Sequence, residues 1–164
     1  MPPKAFVEPS EFPEEVIADQ AQIRELNPHR FEMEMLTAIT LLEQERQLTI
    51  GYKDVTDEEF WVRGHMPEFP LMPGVLMIEA SAQLSSFYSH YFNIVPKDSV
   101  IGFGGINEAR FRGMVRPGDR LWIVCKADKV TPRRFTFDAQ GFVDGSMVFN
   151  GQFIGVSLPA VTRS

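Results

Sequence analysis

One stretch of twenty residues, residues 64–83, restricts the possible folds of this chain more than any other; it reads GHMPEFPLMPGVLMIEASAQ. Its first half holds three prolines, each of which fixes φ and removes a backbone hydrogen-bond donor, so this half is predicted to be a rigid loop. After Pro73 the prolines stop, and residues 75–92 run without Gly or Pro and are rich in Leu, Met, Ala, Glu and Gln. This composition predicts the clearest helix of the chain.

The predicted helix has too little polar surface to face water along one side. Its weakly polar residues are few and small, so we expect the helix to be buried on nearly all sides. Glu79 then lies in the middle of a core helix. Burying a carboxylate without partners is costly, so such a residue is usually paired, protonated or functional. The weakly polar residues of the helix are Ser81, Gln83, Ser85 and Ser86.

The same stretch resembles the signature of a known enzyme family. With variable positions left open it reads GHxPxxPxMPGVLxIEAxAQ, and its two polar candidates, His65 and Glu79, are fourteen positions apart. This pattern is similar to that of the β-hydroxyacyl-acyl-carrier-protein dehydratases of type II fatty-acid synthesis. The segments NPHRF (residues 27–31) and EARFRGMVRPGDRL (residues 108–121) also resemble that family, and the resemblance covers about three quarters of the chain. It implies the hotdog fold, in which an antiparallel β-sheet wraps around a long central helix.

The resemblance also implies roles in removing water from a β-hydroxyacyl thioester. A base must take the α-proton, and His65 suits this step because imidazole exchanges protons near neutral pH. An acid must protonate the departing hydroxyl, and Glu79 suits this step if burial keeps its carboxyl protonated. The backbone N–H of Gly74, at the positive end of the helix dipole, is the expected donor to the developing enolate oxygen. The plainer alternatives are a hydrogen-bonded core histidine and a glutamate paired with an arginine.

In that family the active site lies between two subunits, and the acyl group arrives on a carrier protein. The resemblance therefore implies a homodimer with shared active sites, which in some members assembles into a trimer of dimers, a homohexamer. It implies no cofactor on the enzyme, since the substrate is carried on the phosphopantetheine of the acyl carrier protein. That partner is small and acidic, so basic side chains are expected at the entrance to the site. The expected docking residues are Arg110, Arg112 and Arg116.

Composition and charge argue against several other classes of protein. The chain has 164 residues, enough for one domain, with no visible linker or repeat. Residues 1–60 hold fourteen acidic and five basic side chains, whereas residues 110–134 hold eight basic and two acidic ones, which argues against a general nucleic-acid binder. No Cys/His/Asp spacing suggests a metal site. Cys125 is the only cysteine, which fits a reduced, cytoplasmic setting. Neither a signal peptide nor a membrane-spanning stretch is visible, so no stable membrane association is expected.

Outside the signature, the chain is predicted to divide into an extension and one domain. Residues 1–18 match nothing in the family and are predicted to be a poorly ordered extension or a short partner-dependent helix. Residues 19–164 form the predicted hotdog domain, an α+β fold. Asp19 is expected to cap a short helix that runs to Glu25, and His29 is expected to be a structural hydrogen-bonding residue. Alternating apolar residues and turn signals predict strands at residues 41–42, 47–55, 100–111, 121–130, 135–143 and 147–158.

Three functions are compatible with the sequence. A (3R)-hydroxyacyl-acyl-carrier-protein dehydratase forming trans-2-enoyl products is favoured. Glu79 favours the non-isomerising type, since the related dehydratase-isomerases carry Asp at this position. A hotdog thioesterase would use a carboxylate to direct water at the thioester carbonyl, but this does not explain why His65 and Glu79 occur together. A non-catalytic protein that binds acyl chains or a carrier protein is the third. Two departures from the family keep it open: the segment EMEMLTAI (residues 32–39) and Gly102, where many members have an aromatic residue.

Overall fold

Six antiparallel strands wrap around one long helix in the computed structural model, which describes residues 1–159. The elements are α1 (Gln20–Leu26), β1 (Ala38–Glu43), β2 (Leu48–Asp54), α2 (Gly74–Tyr91), β3 (Ser99–Phe111), β4 (Arg120–Val130), β5 (Arg134–Val143) and β6 (Ser146–Pro159), with 3-10 turns at Pro9–Glu11 and Phe31–Met33. The strand order is β1-β2-β4-β5-β6-β3, so β1 and β3 are the edges. The predicted α+β hotdog fold is confirmed. The end of the predicted domain, residues 160–164, lies outside the described residues.

The central helix α2 begins where the prolines end. Pro73 directly precedes its first residue, Gly74, and its missing N–H is tolerated at a helix start. The helix ends at Tyr91, and Asn93 follows with a positive φ of 53°, a common way to stop a helix. Most side chains of residues 77–90 are buried, which confirms the prediction of a helix covered on nearly all sides. Within residues 1–159, no helix is both long and apolar enough to cross a membrane.

All six predicted strands are present, and five of them match within one residue at each end. The exception is the predicted strand at residues 41–42, which extends to residues 38–43. Asp144 and Gly145 join β5 to β6 with positive φ values of 47° and 77°, as a two-residue hairpin turn requires. The predicted cap at Asp19 is also confirmed: Asp19 and Gln22 exchange side-chain to backbone hydrogen bonds of 2.9 Å at the start of α1.

Residues 5–12 of the N-terminal segment lie across the face of the sheet that points away from α2, whereas Ala18 packs in the core around α2 and pairs with Ile39 of β1. Phe12 is 9% exposed and packs on Trp122, with the ring centres 5.4 Å apart, in an apolar cluster separate from the core around α2. The side chain of the buried Gln140 accepts a hydrogen bond from the N–H of Phe6 (3.0 Å). It also donates a hydrogen bond to the carbonyl oxygen of Lys4 (2.9 Å). Poor order of this segment stays a prediction, and the contacts of Phe12 offer a direct way to test it.

The edge strand β3 carries an apolar surface. Within residues 1–159 it pairs along one side only, with β6. A long edge strand with exposed apolar side chains invites pairing with another chain, so proteins usually cover it. This edge is therefore suited to contact with a partner. The half-exposed apolar side chains of β3 are Val100, Phe103, Ile106 and Phe111.

Candidate active site

His65 lies in the proline-rich loop between β2 and α2, and a carbonyl oxygen fixes the orientation of its ring. Nδ1 of His65 is 2.8 Å from the carbonyl oxygen of Leu71, and Leu71 donates its own N–H to the carbonyl oxygen of His65, also at 2.8 Å. Because a carbonyl oxygen only accepts hydrogen bonds, Nδ1 must carry the hydrogen. In the neutral ring Nε2 is then the unprotonated nitrogen, which is the form that a general base needs. The peptide bond between His65 and Met66 is cis.

The start of α2 adjoins the His65 loop and presents free backbone donors. Among the described residues no side chain caps this helix, and the first N–H groups of a helix have no partner within it and carry the positive end of its dipole. Gly74 lets the half-exposed ring of Phe111 approach closely, because a Cβ at this position would lie 2.7 Å from that ring and the ring would have to turn aside. His65, Gly74 and Phe111 line one recess on the surface. The structure thus brings the predicted base and the predicted oxyanion donor together.

Glu79 projects from the middle of α2 into a different recess. Its Oε1 accepts a 2.8 Å hydrogen bond from Nε2 of Gln83, one helical turn later. The same nitrogen donates to the carbonyl oxygen of Met33 (2.6 Å), and Oε1 of Gln83 accepts from the N–H of Met35 (2.9 Å). Gln83 is therefore held at both polar atoms by the segment before β1. Within residues 1–159, Oε2 of Glu79 makes no hydrogen bond, so this oxygen is free to meet another group.

His29 faces Glu79, and the structural role expected for it from the sequence stays a prediction. Helix α1 ends before Pro28, and this brings His29 alongside α2. Its Nε2 is 3.5 Å from Oε1 of Glu79, and its Nδ1 is buried without a hydrogen-bond partner among the described residues. Burial lowers the pKa of His29 more than the nearby carboxylate of Glu79 raises it, so the ring is neutral at pH 7. The only signal for this residue in the sequence is the NPHRF segment.

The recess around Glu79 is a narrow cavity of about 60 Å³ bounded by β3, β5 and β6. Its polar lining consists of Glu79, His29 and two serines of α2, and the strands contribute apolar side chains and glycines. Such a lining suits a hydrocarbon chain that ends at a polar group. The larger apolar side chains that line it are Ile101, Phe103, Phe135, Phe137, Phe153 and Ile154.

Within one chain, His65 and Glu79 open into separate recesses. The first is lined by Phe111, near the end of β3, and the second by Phe103, near the middle of the same strand. Both recesses therefore reach the edge of the sheet that carries exposed apolar side chains. The structure does not bring the predicted base and the predicted acid together in a single chain.

Three arginines, Arg110, Arg112 and Arg116, lie close to the His65 recess and are called the rim arginines below. Arg110 is 3.5 Å from the carboxylate of Glu108 on the same strand. Arg112 donates a 2.7 Å hydrogen bond to a side-chain amide of β6. The guanidinium of Arg116 lies 4.1 Å from the centre of the Phe69 ring, in the His65 loop. All three are exposed. The residues between them that line the recess are Phe111, Gly113, Met114 and Val115.

Two other kinds of chemistry find no support in the described residues. Cys125 is fully buried, and burial raises the pKa of its thiol to about 12, whereas reactive cysteines have lowered pKa values. Within residues 1–159, no group of three or more His, Cys, Asp or Glu side chains is placed to hold a metal ion.

Known proteins resemble this chain in sequence and in fold. Residues 27–152 match the FabA-like domain family. The 3-hydroxyacyl-[acyl-carrier-protein] dehydratase FabZ of Campylobacter jejuni is 38% identical over 133 residues, covering 79% of this chain and 90% of the relative. FabZ of Clostridium botulinum is 37% identical over 146 residues, covering 87% and 97%. The dehydratase heterocomplex ApeI:P from Xenorhabdus doucetiae has a TM-score of 0.68 at 15% identity, over 83% of this chain and 90% of that one, which indicates a shared fold. Since the family match covers most of the chain and includes the His65 loop and α2, the chain belongs to the FabA-like domain family.

Proposed function

We propose that this protein is a 3-hydroxyacyl-acyl-carrier-protein dehydratase of fatty-acid biosynthesis, a hydro-lyase that forms trans-2-enoyl products. The observation that carries the proposal is that relatives named for this activity match over 90% and 97% of their own length. The chemistry of His65 and Glu79 agrees with it, since dehydration needs one base and one acid. A thioesterase or a non-catalytic binding protein would leave at least one of these side chains without a task.

The reaction begins at His65, whose Nε2 removes the α-proton of the substrate. The electron pair of the broken C–H bond moves toward the thioester carbonyl, and the N–H of Gly74 donates a hydrogen bond to that oxygen as its negative charge grows. The β-carbon then loses its hydroxyl, which takes a proton from Glu79 and leaves as water. His65 has gained one proton and Glu79 has lost one, so proton transfer from His65 to Glu79 resets the site. Acid, base and oxyanion donor all come from the chain, and the step requires no metal or bound cofactor.

Two copies of the chain form each active site in a homodimer. Two observations support this arrangement: the base and the acid open into separate recesses, and both recesses reach the apolar edge of β3. Pairing of β3 with its counterpart would continue the sheet across the dimer and cover this edge. The His65 recess of one chain would then complete the Glu79 cavity of the other. A trimer of dimers would repeat this unit without changing the site.

The acyl carrier protein delivers the substrate to the rim of the His65 recess. The rim arginines are exposed there and carry the charge that an acidic carrier would meet. The acyl chain extends from the thioester into the apolar cavity beside Glu79. Gly102 lines this cavity, and the side chain of Leu158 fills the space beside it, 2.9 Å from where a Cβ of residue 102 would lie.

A product assay on 3-hydroxyacyl-carrier-protein substrates of several lengths tests the proposed reaction. Enoyl product is expected, whereas free acid would indicate a thioesterase and no turnover would indicate a binding protein. His65→Ala and Glu79→Gln are each expected to lower dehydration by at least about a hundredfold, as the loss of an acid or base does. Near-normal turnover by either folded variant would remove that residue from the mechanism.

Mixing the two inactive variants tests the shared site. A dimer of one His65→Ala chain and one Glu79→Gln chain keeps one site with both functional side chains, so exchange of subunits should restore part of the activity. A sample in which mixed dimers are demonstrated by mass spectrometry but remain inactive would contradict the shared site. Each variant alone, taken through the same subunit-exchange treatment, is the control.

A further inference from the structure

Two nitrogen atoms converge on the same oxygen of Glu79. Nε2 of Gln83 lies 2.8 Å from Oε1, and Nε2 of His29 lies 3.5 Å from it. In a protonated carboxyl group, one oxygen carries the hydrogen and the other is the better acceptor. Gln83 donates a hydrogen bond to Oε1 and His29 faces the same oxygen, so both nitrogens favour Oε1 as the acceptor. The hydrogen of a protonated Glu79 is therefore directed onto Oε2, the oxygen without a protein partner among the described residues.

We propose that His29 is a positioning residue for Glu79, which works with Gln83 to hold Oε1 so that the transferable proton stays on Oε2. This proposal rests on the proposed dehydratase function, because His29 has this task only if Glu79 is the acid. In the reaction, the O–H bond at Oε2 breaks and the proton passes to the departing hydroxyl. The negative charge left on the carboxylate is then stabilised by the same two N–H donors.

The protonation of the His29 ring agrees with this role. Burial lowers the pKa of His29, so the ring is neutral at pH 7 and carries one N–H hydrogen. Nδ1 is buried and faces no acceptor within residues 1–159, whereas Nε2 faces the carboxyl of Glu79. The hydrogen therefore belongs on Nε2. A buried ring nitrogen without a partner is rare in folded proteins, and its presence here is better explained by function than by stability.

The backbone that carries His29 is fixed to α2, so small rotations of the two side chains are enough to shorten their contact. Asn27 donates a 2.9 Å hydrogen bond to the carbonyl oxygen of Gln83, and Arg30 donates to the carbonyl oxygens of Asn27 (2.8 Å) and His29 (2.7 Å). The contact of 3.5 Å with Glu79 is longer than an ordinary hydrogen bond. Contacts of this kind often tighten when substrate enters an active site.

Two substitutions of His29 by amide side chains of different length test the proposal. His29→Gln places an amide N–H close to the position of Nε2, whereas His29→Asn is one methylene shorter and its amide falls short of Oε1. For dehydration of a 3-hydroxyacyl-carrier-protein substrate, we expect kcat to fall by at least about tenfold in the Asn variant and by less than about threefold in the Gln variant, with KM nearly unchanged in both. Equal kcat values for the two variants would overturn the positioning role. His29→Leu, which has no donor, repeats the measurement if the Asn variant does not fold.

A second measurement shows whether His29 acts through Glu79. In the Glu79→Gln background, adding His29→Asn should cause no further loss of the residual activity, because the acid that His29 positions is already absent. A further loss of about tenfold in that background would overturn the proposal. The activity of Glu79→Gln also tests the role of Glu79 as the acid separately from the positioning role of His29. If it is inactive while His29→Asn matches the parent, only the positioning role fails; if it keeps full activity, the assignment of Glu79 as the acid fails.

Discussion

Gly155→Ala is expected to destabilise the protein by crowding the cavity wall. Gly155 on β6 pairs with Phe135 on β5, and a Cβ at position 155 would lie 2.1 Å from the Phe135 ring. The ring is only 2% exposed, so it cannot turn into solvent and must shift by roughly 1.5 Å to regain normal contact. Overpacking of this kind costs about 1–3 kcal/mol, whereas replacing a strand glycine by alanine gains about 0.5–1 kcal/mol. The cost of overpacking outweighs the gain from replacing glycine, so the free energy of unfolding should fall by about 1–2 kcal/mol.

Thermal and urea unfolding measure this change. For a chain of this length, the loss corresponds to a Tm lower by about 2–8 °C. Gly64→Ala is the matched control, because no heavy atom lies within 4 Å of a Cβ built there; its Tm should be unchanged or slightly higher. Adding Phe135→Leu to Gly155→Ala should recover part of the loss, since the smaller side chain makes room for the new methyl group. Stability equal to that of the parent, or no coupling between the two substitutions, would refute the reasoning.

The same variant has a functional readout. Phe135 lines the cavity beside Glu79, so a displaced ring narrows the space in which we place the acyl chain. Turnover should therefore fall more for long 3-hydroxyacyl substrates than for short ones. A uniform loss across acyl lengths would mean that the acyl chain lies elsewhere.

Three further outcomes are expected. Replacing the rim arginines together by Ala should raise the apparent KM for carrier-linked substrate and weaken the salt dependence of that KM, because rim charges act on association. Turnover of a pantetheine thioester should change little. Equal losses of activity on both substrates would contradict docking at these arginines. Cys125 should resist iodoacetamide at about pH 8 in the folded protein and react in concentrated urea, since a thiol pKa of about 12 leaves few thiolates; rapid labelling of the folded protein would count against its burial. Phe12→Ala should lower the free energy of unfolding by about 3 kcal/mol, as measured by urea unfolding; a loss below about 0.5 kcal/mol would instead support poor order of the N-terminal segment.

Elements that depend on neighbouring residues could be predicted from the sequence. Helix α2 follows from a run of helix-forming residues directly after three prolines, and the β5–β6 hairpin follows from Asp144 and Gly145, which accept positive φ. The sequence predicts strand β1 too short for a physical reason. Residues 35–39 are almost all buried, so the sequence there lacks the alternation by which a half-exposed strand is recognised.

The candidate site could be predicted in its residues but not in its contacts. His65 and Glu79 stand in a recognisable pattern, and their chemistry suggests their tasks. The sharing of Oε1 by Gln83 and His29 instead depends on how the segment before β1 folds against α2, about fifty residues further along the chain. No local pattern encodes such a contact, so the sequence alone presents His29 as an ordinary loop histidine.

The N-terminal segment also sets an order of events during synthesis of the chain. Phe6 bonds to the side chain of Gln140, which lies 134 positions later. At about 5–20 residues per second, the ribosome needs roughly 7–27 s to make the intervening chain. For that time Phe6 and Phe12 have no docking surface and are accessible to chaperones and proteases. They can be shielded only after Trp122 and Gln140 have been made, so the formation of β4 and β5 is also the moment at which Phe6 and Phe12 become protected.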